Sequence, residues 1–148
     1  MRFVLAFALA TLAVAPAAFA ATDKVLDAQQ MSALASKAAQ ASPKEQCFLY
    51  AELAHSMAEL AGQQLSAGDS AKASASLKEV QTYTEKIHMG VADDAKKLKN
   101  AEILMRHTAF RLKEIMMDAS LDDRPTLEST LKQLDKVQNE MMMQVFKH

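Results

Sequence analysis

Past residue 24, apolar residues recur at intervals of three and four, and this spacing predicts a succession of amphipathic helices. The first is expected over Lys24–Ala41, on a stripe of Val25, Ala28, Met31, Leu34, Ala35 and Ala38. That stripe is alanine-rich and weak. The second opens at Ser42-Pro43-Lys44-Glu45. A Ser before a first-turn Pro, with Glu three residues on, predicts a capping box. Its inward stripe is Tyr50, Leu53, Ala54, Met57, Leu60, Ala61 and Leu65. Ala67-Gly68-Asp69 ends it: Gly68 suits a left-handed position and Asp69 can cap the next helix.

The third helix is expected over Ser70–Ile87, with Ala73, Leu77, Val80, Tyr83 and Ile87 inward and Gly90 as its stop. The fourth is expected over Ala92–Ala119. Leu98, Ala101, Met105, Thr108, Leu112, Ile115 and Ala119 make a near-heptad line, widened by Ile103, Leu104, Phe110, Met116 and Met117. So broad an apolar arc predicts the most buried helix of the set. Asp122-Asp123-Arg124-Pro125 breaks and caps it. The fifth helix runs to the C-terminus, with Leu127, Leu131, Leu134, Val137 or Gln138, Met141 and Val145 inward. Links of about three to five residues favour antiparallel neighbours. The expected fold is therefore all-α: an antiparallel up-down bundle of four main helices plus a weaker N-terminal helix.

Composition agrees. Ala, Leu, Lys, Glu, Gln and Met dominate, and all are good helix formers. The full chain has three Gly and three Pro, so helix interiors are seldom interrupted.

The first twenty residues have a different character. Met1-Arg2 is a basic start, Phe3 to Val14 is apolar apart from Thr11, and Ala18-Phe19-Ala20 is a small-x-small cleavage pattern. These features predict a secretory signal peptide over 1–20, a mature domain over 21–148, and a periplasmic or secreted location. No second apolar run follows, so no membrane span is expected after cleavage. Without Arg2, 16 Lys+Arg face 18 Asp+Glu, a formal charge of −2. That balance gives no long-range pull toward nucleic acid. Cys47 is the single cysteine, which predicts either a buried thiol or an intermolecular disulfide. Its place near a helix start would give it some thiolate character.

The second and third helices resemble one tetratricopeptide hairpin, with Leu60, Ala61, Ala73 and Leu77 at that family's positions. Gln64, Val80 and Glu85 depart from its pattern. A second copy from His88 fails at Asp94 and His107. The expectation is an ordinary helical hairpin with a Gly-Asp turn, not an array of that repeat.

Candidate chemistry is sparse. Glu52/His55 and Glu85/His88 each have the three-residue spacing used in di-iron bundles. Glu52 and His55 fall with Ser56 and Glu59 on the side opposite the Tyr50–Met57–Leu60 stripe, so they read as solvated surface. The Met116-Met117 and Met141-Met142-Met143 runs cannot face one way on a helix. Some of these Met must reach the surface, where a thioether suits adaptable contacts. No phosphate loop, catalytic triad or haem-attachment motif occurs. The expected function is a non-enzymatic protein without a cofactor, binding a protein partner or itself as a homo-oligomer. Phe110, Met116, Met117, Met142, Met143 and Phe146 are its candidate contacts. The alternative is a copper or haem carrier, with Met105, His107 and His148 as candidate ligands.

Overall fold

The computed structural model describes residues 25–89 and 95–147. The expected signal segment, Gly90 and His148 lie outside them. Five helices and no strand are present among the described residues: α1 (Ala28–Gln40), α2 (Pro43–Ser66), α3 (Ser70–Met89), α4 (Ala95–Asp118) and α5 (Arg124–Val145). The protein is an all-α helical bundle.

Local signals set most boundaries. Gly68 takes a φ of 78°, a conformation that costs glycine little. The Asp69 carboxylate then accepts from the Lys72 backbone N–H at 3.2 Å and starts α3. A capping box does form, but at α1: Asp27 and Gln30 satisfy each other's backbone N–H groups. The box expected at α2 is absent, because Ser42 makes no side-chain cap bond. Glu45 reaches instead to Lys97 of α4, 3.1 Å away. At the last turn Asp123 accepts from Ser120 and Ser70, which ties the start of α5 to the start of α3.

The helices pair in a definite order. α2 touches α1, α3 and α4; α5 touches α3 and α4. Among the described residues α3 and α4 do not meet, nor do α2 and α5. The four main helices therefore form a ring in the order α2, α3, α5, α4. Glu45–Lys97, His55–Thr108 and Glu59–Arg111 contacts ascend together, so α2 and α4 run in the same direction. Ser70–Asp123 and Gln81–Thr130 show the same for α3 and α5. Two helical hairpins are stacked side by side, like helix on like helix.

Burial repeats between the hairpins. Cys47, Tyr50, Ala54, Ala58 and Ala61 of α2 match Leu98, Ala101, Met105, Ala109 and Leu112 of α4. Ala73, Leu77, Val80 and Ile87 of α3 match Leu127, Leu131, Leu134 and Met141 of α5. All these side chains are buried.

The most buried helix is α2, not α4 as expected. α2 has three helical neighbours and α4 has two. α2 admits the third through small residues: Ala51, Ala54, Ala58 and Ala61 are fully buried. At Gly62 a Cβ would fall 2.8 Å from Ile115 Cδ1, so glycine lets α4 approach there. The wide apolar arc of α4 wraps past its contacts instead. Ile103, Phe110 and Met117, seven residues apart, share its outer face and are exposed.

Candidate functional site

Two surfaces gather the chemistry of this chain. The first is the outer side of α4–α5. Among the described residues, every exposed large apolar side chain lies on these helices or their turn: Ile103, Phe110, Met117, Leu121, Met142, Met143 and Phe146. Phe110 is 64% exposed, Met117 73% and Phe146 82%. Of the six expected contacts, Met116 is half-buried against the core and the other five are exposed. Ile103 and Leu121 belong to the same exposed set, although the sequence pattern does not single them out as contacts. Their exposure follows from which helices α4 lacks as neighbours, and helical spacing alone does not carry that.

The five exposed contacts form two lines rather than one patch. Phe110 and Met117 continue the Ile103 line on α4. Met142 and Phe146, four residues apart, make a line on α5. Met143 stands about 100° round the helix from Met142. Between the helices a groove of about 390 Å³ is lined by Phe110, Arg106 and Lys113 of α4 and by Asp135, Gln138 and Asn139 of α5. Met142 lies one turn along from Gln138.

The second surface runs along α2 and α4 where α1 leaves them uncovered. It joins two depressions that share His55 and His107. Glu52 and His55 lie here, half-buried, not on open surface as expected. A single-stripe reading of α2 gives it one buried side, whereas its three neighbours bury most of its circumference. Burial pushes the Glu52 carboxyl up from its ordinary pKa, partly offset by the positive charge of Lys37. His55 Nδ1 is 3.0 Å from Thr108 Oγ1. Further along, the Arg111 Nε donates to both oxygens of Glu59 at 3.1 Å, and its Nη1 reaches Glu114 at 3.4 Å. Glu59 is only 8% exposed, so this cation offsets a costly buried charge. Arg106 grips the buried Glu102 in the same manner, with Nη2 at 2.6 and 2.8 Å from its oxygens.

The remaining candidates are dispersed. Met105 is fully buried in the core while His107 is exposed. Two residues apart on one helix, they point to opposite sides. Glu85 is exposed on α3, away from Glu52 and His55. Among the described residues no three His, Cys, Asp or Glu side chains come together as a metal set.

Cys47 is buried and unpaired. Burial pushes its thiol up to about 11, so it is a neutral thiol at physiological pH. The thiolate character expected from the helix start is overridden by desolvation, which disfavours the charged form. No described helix is long and apolar enough to cross a membrane. No family model, no curated protein and no solved structure matches this chain.

Proposed function

We propose that this is an exported, non-enzymatic docking protein whose open α4–α5 face receives a helical segment of a partner protein or of a second copy. One observation carries the reading. In the shared burial register, Ile103, Phe110 and Met117 of α4 stand where Glu52, Glu59 and Ser66 stand in α2. In α2 that line adjoins the next layer, since Glu59 is held by Arg111 of α4. On α4 the same line is apolar and uncovered. A stack of helical hairpins needs a polar last face to stay soluble alone. An exposed apolar line in place of that cap suits a further helix laid into it. Export is the reading that the 1–20 signal pattern supports.

The test is site-specific photocrosslinking in a Gram-negative envelope, with the chain exported by its own first twenty residues. A crosslinker at Phe110 or Met142 is expected to trap discrete protein adducts, while one at Lys78, exposed on α3, traps none. Phe110→Glu with Met117→Ser gives α4 the polar residues of α2 and is expected to abolish the Met142 adducts. Adducts that are absent at both α4–α5 positions, or that persist unchanged in the double variant, would overturn the proposal.

A further inference from the structure

We infer that the cleft between α1 and α4 is a binding site for a small amphiphile: an apolar body carrying a hydrogen-bond-donating head, an amine or an alcohol. The cleft exists because of how α1 is attached. Among the helices α1 touches α2 alone, so it stands apart from α4 across the surface of α2. The space between them is about 510 Å³, within the range of about 300–1,000 Å³ common for small-ligand pockets. Leu34 of α1, Phe48 of α2 and Ile103 and Leu104 of α4 line it. None of the four is fully buried. A ligand body lying among them would remove that apolar surface from water, the main source of affinity in such a site.

The head-group chemistry follows from proton bookkeeping at His55. The Thr108 hydroxyl has one hydrogen, and it donates that hydrogen to the Leu104 carbonyl oxygen at 2.9 Å. Thr108 Oγ1 can then only accept from His55, so Nδ1 carries the ring N–H and donates it across 3.0 Å. In the neutral ring Nε2 is left as an acceptor. Glu52, three residues earlier and on the same helix face, also lines the cleft. Its half-buried carboxyl has no hydrogen-bond or ion-pair partner among the described residues, and the positive charge of Lys37 on α1 acts on it through space. No Lys or Arg lines the cleft. Ser56, Asn100 and His107 also line the cleft and can donate as well as accept. The discrimination therefore rests on Glu52: its unpaired carboxylate, offset only in part by Lys37, favours a donating head and disfavours an anionic one.

Decylamine, decanol and decanoate separate head from tail, because the three share one chain length. Each would be titrated below its micelle concentration into the ¹⁵N-labelled 21–148 chain, and amide shifts followed by NMR. The amine and the alcohol are expected to bind with shifts clustered at the cleft, and decanoate at least tenfold more weakly. Glu52→Gln keeps the shape and removes the charge, so it should weaken decylamine about tenfold while changing decanol little. Decanoate binding as tightly as decylamine would overturn the inference. So would an unchanged decylamine affinity in a folded Glu52→Gln chain, or shifts confined to α5 and the Phe110–Met117 stretch of α4. That last outcome would leave the docking proposal standing while removing the ligand site.

Discussion

The hairpins α2–α3 and α4–α5 bury corresponding positions but finish their outsides differently. Where α2 carries Glu52, Glu59 and Ser66, α4 carries Ile103, Phe110 and Met117. The interiors are filled differently too. The first hairpin buries Ala51, Ala54, Ala58 and Ala61 and takes three helical neighbours on α2. In the second, α4 buries Leu98, Met105, Leu112 and Ile115 and has two neighbours, while α3 and α5 bury large residues alike. Small residues let backbones come close, so one helix can be surrounded. With two helical neighbours among the described residues α4 keeps a free side, and the residues placed there decide what it can meet.

If the two hairpins are equally tightly packed, truncating a fully buried leucine in either should hurt equally. Leu53 of α2 and Leu112 of α4 are both fully buried. Replacing either with Ala is expected to cost about 2–5 kcal/mol, the transfer loss plus a cavity. Urea denaturation of the two variants would measure this. A loss below about 1 kcal/mol at Leu112 alone would show that the second hairpin is the looser half and break the equivalence.

The matched pair Cys47 and Leu98 gives a finer contrast, since only one of them titrates. Burial raises the Cys47 thiol from 9.0 to about 11. A raised acid stays neutral longer in the folded chain, so its contribution to stability is intact below pH 9. As pH rises from 9 toward 11 the unfolded chain loses its proton first, and stability should fall by about 1.4 kcal/mol per pH unit. The difference in unfolding free energy between the parent and Cys47→Ala removes the background of other titrating groups. That difference should be constant below pH 9 and shift against the parent above it. A flat difference to pH 11 would mean that the thiol is more accessible than its 2% exposure implies.

The all-α bundle and its five helices are readable from sequence for a clear reason. These helices depend on local signals, namely the Gly68-Asp69 turn, the Pro43 start and the apolar repeats of α3 and α5. The expected antiparallel up-down order is not what sets the ring, since α2 lies beside α4 in the same direction. What escapes depends on neighbours. Ala51, Ala58 and Gly62 carry little hydrophobic signal, yet all three are buried, and at Gly62 α4 comes close to α2. Without that second buried side, Glu52 and His55 read as open to solvent. The outer line of α4 is lost for the converse reason: Ile103 and Phe110 widen an apolar arc that looks buried until the number of covering helices is known. The exposed Met residues are partly recoverable, because the 100° step between adjacent Met142 and Met143 forbids burying both with Met141.

Charges test the boundary between the layers. Arg111 is shared between Glu59 and Glu114, and its loss would leave Glu59 buried without a cation. Breaking a wholly buried pair costs about 3–5 kcal/mol; with the Arg111 side chain 42% exposed, about 1–3 kcal/mol is expected for Arg111→Ala. Lys113, on the same helix and exposed, should change stability by no more than about 0.5 kcal/mol when replaced by Ala. Paired denaturation curves would decide it, and an Arg111→Ala variant as silent as Lys113→Ala would reduce the inter-hairpin ion pair to surface decoration.

The smallest expected effect on stability discriminates most sharply between the hairpins. Phe110→Glu with Met117→Ser converts the outer line of α4 toward that of α2. Neither side chain is in the core, so the folded chain should lose no more than about 0.5 kcal/mol per site. The carboxylate introduced by Phe110→Glu would sit one helical turn from both Arg106 and Glu114, on a face open to water, so its charge needs no buried partner. A change near zero in the denaturation midpoint, together with loss of adducts at Met142, would mean that these apolar residues serve contact with another chain and not folding. A loss of several kcal/mol would mean the opposite: that Phe110 and Met117 are covered within the protein in solution, and that the open side of α4 is closed by its own chain.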